Sequence, residues 1–138
     1  MSAALFHMIR GAPEPVGPFS HATEADGWVF ITGQMPTYPG SPEAAIPEGI
    51  EAQTHLVIDN LARVLAGVGL GLRDVLRVGV YLTHFDDDYP VFNRLYREYF
   101  AVGQLPARTC IGVTALARGA RVEIDLIARR AGVTPCAP

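Results

Sequence analysis

The chain has 138 residues, 49% of them hydrophobic, and a mean hydropathy of +0.21, enough for one sizeable core and rather apolar for its size. Eleven arginines and no lysine stand against fourteen acids, for a net charge of −3. That balance excludes a broad phosphate-binding surface, and the missing lysine excludes a Schiff base and the usual tether for pyridoxal phosphate.

No apolar run reaches the roughly 18 residues of a membrane span, and Met1 to Arg10 lacks a signal-peptide pattern. A single domain over 1–138 is expected, with a core at about 11–131 and a tail at 132–138. A reducing cytoplasm is the simplest compartment, because Cys110 on a strand and Cys136 in a Pro-rich tail suggest no disulfide framework.

The first strand falls at Phe6 to Ile9. A second runs from Phe19 to Glu24, and Asp26-Gly27 is a turn into a third, Trp28 to Thr32, which Gly33-Gln34 ends. Five prolines and glycines between residues 36 and 48 predict a loop. From about Gly49 to Gly67 the apolar residues Ile50, Val57, Leu61, Val64 and Leu65 recur at helical spacing, with Gly67, Gly69 and Gly71 as terminators. Val75 to Thr83 alternates, with Leu76, Val78, Val80 and Leu82 on one face. Asp86 to Asp88 before Pro90 suit a helix N-terminus by capping and dipole, and the helix body runs from Val91 to Phe100.

Strands at Arg108 to Thr114 and Arg121 to Ala128 complete the order βββαβαββ. The predicted class is α+β: one mainly antiparallel sheet with both helices on one face. The bare face then requires a partner, which predicts an oligomer.

If the last two strands form a hairpin, Cys110 lies opposite Glu123 and Arg108 opposite Asp125, all on the face away from the helices. Two readings of Arg108 stay open on the residues alone. One is a salt bridge to Asp125 or Glu123 that fixes sheet register. The other is an anion clamp, since the guanidinium fork matches a carboxylate bidentately, with a nearby carboxylate to activate water.

Other candidates carry less. His7, His21, His55 and His84 lack metal-ligand spacing, and Asp86 to Asp88 lack an EF-hand pattern, so no metal is expected. Cys110 has no evident histidine partner and is expected as a small packed thiol beside the clamp. Asn93 alone would be a solvated helix residue.

The ordered set Gly17-Pro18-Phe19-Ser20, Ile31-Thr32-Gly33-Gln34-Met35-Pro36, Asn93-x-x-Tyr96, Pro106-Ala107-Arg108-x-Cys110 and Val122-Glu123-Ile124 closely resembles the Rid (reactive intermediate deaminase, or YjgF) family, over about residues 11 to 131. The resemblance implies a chorismate-mutase-like homotrimer with clefts between subunits. It also implies cofactor-independent hydrolysis of small 2-imino or 2-enamino acids to 2-oxo acids and ammonia. In that frame Arg108 matches the arginine that holds the substrate carboxylate, and Glu123 the carboxylate associated with the attacking water. Thr32, Gly33 and Cys110 match cleft-lining positions, and Asn93 a recurrent helix residue without an assigned role.

Two departures stand out. Phe19 replaces a frequent tyrosine and removes a hydroxyl, and Thr32 replaces a common serine while keeping one. Phe19 feeds one alternative, a trimer that binds small carboxylates without turnover. Another is an RNA-acting role, endoribonuclease or translation inhibitor, which the acidic balance and absence of a basic-aromatic stripe oppose.

Overall fold

The structure is a computed structural model that describes residues 3–132, so Cys136 and all of the tail beyond Gly132 lie outside the described residues. Six strands and two helices follow the predicted order: β1 (Leu5–His7), β2 (Ala22–Ala25), β3 (Trp28–Gln34), α1 (Ile50–Gly67), β4 (Val75–Leu82), α2 (Phe85–Tyr96), β5 (Ala107–Gly112) and β6 (Val122–Arg129). The strands form one sheet in the order β1-β2-β3-β6-β4-β5, antiparallel except for the β4–β5 pair.

Local chemistry explains the boundaries. Asp26 and Gly27 both take positive φ, 52° and 82°, which is the tight hairpin geometry that an Asp-Gly pair favours between β2 and β3. α1 ends in a Schellman turn: Gly69 at φ 78° sends its N–H to the Ala66 carbonyl, and the Leu70 N–H reaches Leu65 at 2.9 Å.

The inward residues of β3, β4 and β6 meet both helices in one core that holds Val29, Ile31, Val78, Val80, Ile124 and Leu126. Leu61 of α1 and Phe92 of α2 are essentially inaccessible there, and truncating either to alanine should cost about 2–5 kcal/mol. Among the described residues no helix is long and apolar enough to cross a membrane.

Three expectations change. β4 carries a register shift between Val75 and Arg77, so Val75 turns into the core and Leu76 is left 47% exposed on the opposite side. α2 begins at Phe85, five residues before Pro90, and ends at Tyr96 rather than Phe100. Asp86, Asp87 and Asp88 therefore lie within its first turn and do not cap it. Their charge suits the dipole there, and buried Asp88 instead accepts two hydrogen bonds from Arg121, at 2.8 and 2.9 Å.

The third change is the largest. β5 and β6 do not pair with each other, because β4 lies between them: β5 runs parallel to β4, and β6 runs antiparallel to it on the other side. A strand, a helix and a strand have formed a crossover unit where a hairpin was expected, since α2 carries the chain back to the start of the sheet. Arg108 is level with Val78 and Leu126, and Cys110 with Val80 and Ile124. Both side chains thus share the parity of the core residues and face the helices, whereas Glu123 and Asp125 lie on the open face.

Candidate functional site

Two clefts divide the predicted site residues. The first lies between β5 and α2. There the Arg108 guanidinium stacks on the Tyr96 ring, its central carbon 4.7 Å from the centroid, with Phe92 and Tyr89 at 5.6 and 5.9 Å. Arginine tolerates this setting because its delocalised charge is weakly hydrated and stacks on aromatic faces.

Nη2 of Arg108 donates to Asn93 Oδ1 at 2.7 Å and to the Tyr89 hydroxyl at 3.4 Å. Its Nε and Nη1 make no hydrogen bond, and none of the ion pairs, among the described residues, involves Arg108. The salt bridge to Asp125 or Glu123, one of the two readings the residues left open, is therefore not formed, since the sheet itself separates them. Asn93 acquires a definite task, orienting the guanidinium. Cys110, two residues along the same face, packs against the core and does not line this cleft. Burial pushes its thiol pKa up, against the pull of the Arg108 charge, which keeps it a thiol and not a ready nucleophile.

The second cleft, about 230 Å³, opens at the end of β3 and is lined by Phe19, Thr32, Gly33 and Glu123 together with Pro13 to Val16 and Arg118. Its wall is fixed by His21, which is buried and bonded on both ring nitrogens: Nδ1 accepts from the Ile9 N–H and Nε2 donates to the Pro13 carbonyl, each at 2.7 Å. Its floor follows from β3, whose exit is held by Asn60 Nδ2 donating to the Met35 and Thr37 carbonyls at 3.0 and 2.8 Å.

Gly33 is needed here for space. A Cβ at this position would stand 2.8 Å from Oε2 of Glu123, so only glycine lets the carboxylate lie against the strand. Half-buried Glu123 is pushed above the usual carboxylate range, first by burial and then by the neighbouring Asp125 charge. Asp125 in turn accepts a hydrogen bond from the Tyr81 hydroxyl at 2.9 Å, over a Gly79 whose missing side chain leaves room for it.

The structure therefore brings Phe19, Thr32, Gly33 and Glu123 together, and brings Asn93 together with Arg108, but within one chain it keeps the two groups on opposite sides of the sheet. Sequence reasoning missed Tyr89 as a neighbour of Arg108. Its spacing of four from Asn93 and seven from Tyr96 places all three on one helix face, which was the available signal. Among the described residues no group of three or more His, Cys, Asp or Glu could hold a metal ion.

A sheet of this order with paired helices on one side, carrying an unpaired arginine and a strand-packed glutamate, defines a class of small α+β proteins rather than a generic sandwich. Residues 9–130 match the Endoribonuclease L-PSP family model. A RutC family protein of Pyrococcus horikoshii is 38% identical over 119 residues, covering 86% of this chain and 92% of that protein. The mouse 2-iminobutanoate/2-iminopropanoate deaminase is 36% identical over 117 residues, 85% of this chain and 84% of its own. The crystal structure of a Rid-family protein from Yersinia pestis superposes with a TM-score of 0.86 at 30% identity, covering 93% of this chain and 100% of that one. The chain belongs to this family, the L-PSP or Rid family.

Proposed function

We propose that the protein hydrolyses reactive 2-imino and 2-enamino acids to 2-oxo acids and ammonia, in clefts completed by neighbouring copies in a homotrimer. The observation that carries this reading is an arginine held rigidly by neutral partners, with its Nε and Nη1 donors unused and no acid beside it among the described residues. Such a group suits a planar carboxylate supplied from outside. The similarity to a mouse deaminase of 2-imino acids points to the same substrate class.

The Arg108 cleft of one copy would face the Glu123 cleft of the next. The open sheet face favours such an arrangement, because Phe30 and Ile111 are 47% and 45% exposed on it. With the carboxylate on Arg108, the imine carbon meets a water held by Glu123, whose raised pKa suits proton exchange closer to neutrality. Glu123 takes a proton from that water as the new C–O bond forms and gives it to the nitrogen. The C–N bond then breaks as the hydroxyl proton passes to the departing ammonia, which leaves the oxo acid and an ammonium ion. A protonated imine carbon is electrophilic by itself, so the step requires no covalent amine and no cofactor. Phe19 and Thr32 then wall the substrate, and Cys110 supports the strand beneath Arg108.

The test generates a 2-imino acid with an amino-acid oxidase and follows its decay to the oxo acid. The protein should accelerate decay and Arg108→Ala should abolish the acceleration. Indistinguishable traces for wild type, variant and buffer would sink the reading. A role in binding carboxylates without turnover is the second reading, favoured by the missing hydroxyl of Phe19; tight 2-oxo acid binding with no acceleration would select it.

A further inference from the structure

We infer that Tyr89 is a second ligand for the substrate carboxylate, its phenol donating to the anion that Arg108 grips and so setting a preference for an acid over a neutral group. This rests on the deaminase reading of the Arg108 cleft and names a residue that reading does not include.

Tyr89 lies one turn before Asn93 on α2, and both line the cleft with Arg108. Its ring is stacked on Phe85, with centroids 4.7 Å apart and planes 15° from parallel, which fixes where the hydroxyl stands. That hydroxyl accepts from Arg108 Nη2 at 3.4 Å. A phenol also has one proton to donate, and among the described residues the Tyr89 proton has no acceptor.

The 3.4 Å contact is longer than the usual range of about 2.7–3.2 Å. An anion oxygen entering beside it therefore exchanges one weak bond for two charge-assisted ones, from Nη2 and from the phenol. Tyr96, the other phenol of the cleft, is out of a ligand's reach: its ring underlies the guanidinium, and its hydroxyl is buried, without a hydrogen-bond partner among the described residues. Phe19 brings no hydroxyl to its own cleft. Tyr89 is thus the phenol placed to tell a carboxylate from an amide, since a neutral amide offers a weaker acceptor and brings no charge.

The test compares wild type, Tyr89→Phe and Arg108→Ala in calorimetric binding of 2-oxobutanoate and its neutral analogue 2-oxobutanamide, and in turnover of 2-iminobutanoate made in situ. Tyr89→Phe keeps the ring and its stack, so it should fold as wild type. It should weaken 2-oxobutanoate binding by about 10- to 100-fold, the worth of one hydrogen bond to a charged group. Amide binding should change by less than about twofold, and KM should rise by more than kcat falls. Unchanged 2-oxobutanoate binding in Tyr89→Phe, alongside loss in Arg108→Ala, would overturn the inference and leave the deaminase reading standing. Equal losses for acid and amide would also overturn it, because that pattern belongs to cleft shape. Wild type that neither binds 2-oxobutanoate nor turns over the imine would bring down both.

Discussion

The two clefts hold opposite charges by opposite means. Arg108 is surrounded by neutral groups, three aromatic rings and an amide, that orient it without neutralising it. Glu123 is pressed against backbone and beside a second acid, so its charge is discouraged. Elsewhere the fold treats charge differently: Asp88 is matched bidentately by Arg121, and Glu24 by Arg130, with His7 on the Oε1 that also accepts from Arg130 Nη2. Those pairs fix one element to another and leave nothing over for a ligand. The lesson is that geometry is secured here by paired charges, while Arg108 and Glu123, among the described residues, form no ion pair.

The most severe way to break that comparison is to disable each cleft in a different chain. Arg108→Ala and Glu123→Gln should each abolish turnover, but refolding the two together should restore about a quarter of the wild-type rate per subunit. Random mixing gives each interface that chance of joining an intact Arg108 cleft to an intact Glu123 cleft. No recovery, with mixed oligomers verified by mass, would mean that the clefts work apart.

A smaller effect is expected from crowding the glutamate. Gly33→Ala places a methyl group 2.8 Å from Oε2, so the carboxylate must move. A displacement on the order of 1 Å should lower kcat by about 100-fold with 2-oxobutanoate binding retained. Unaltered kcat would show that Glu123 does not need its position. The mildest change is electrostatic. Burial and Asp125 both raise the Glu123 pKa, so the acid limb of the kcat/KM profile should lie above the ordinary carboxylate value of about 4.3. Asp125→Asn removes the like charge and should move that limb towards lower pH; a limb that stays in place would exclude Glu123 as the titrating base.

Much of this was legible in the chain. Periodicity located α1 and, from Val78 onward, the buried face of β4, and Asp26-Gly27 marked its hairpin. The side on which Arg108 stands was not legible by the same means, because a strand's face depends on its neighbour and the nearest strand in sequence is not the nearest in space. A signal did exist: Val75 to Thr83, a helix, then Arg108 to Thr114 is the spacing of a parallel crossover. Pairing β5 with β4 would have tied Arg108 to Val78 and set it under the helix. Conversely, the motif match named Arg108 and Glu123 together without their arrangement, since a motif records identity and not the side of the sheet on which a residue stands. Tyr89 escaped for a different reason. It lies one turn from the buried aromatic Phe92 and two from Tyr96, and a periodic aromatic is indistinguishable from packing until its hydroxyl is located.

β5 pairs on one side only, with β4, and forms an outer strand of the sheet. An outer strand exposes a row of unpaired peptide groups and can template the addition of any extended chain that comes near. The strand that carries Arg108 is thus also one of the two that are open to wrong partners. A partner that covered that side would guard the chain against aggregation, so solubility and the placing of Arg108 would depend on the same few residues, Ala107 to Gly112.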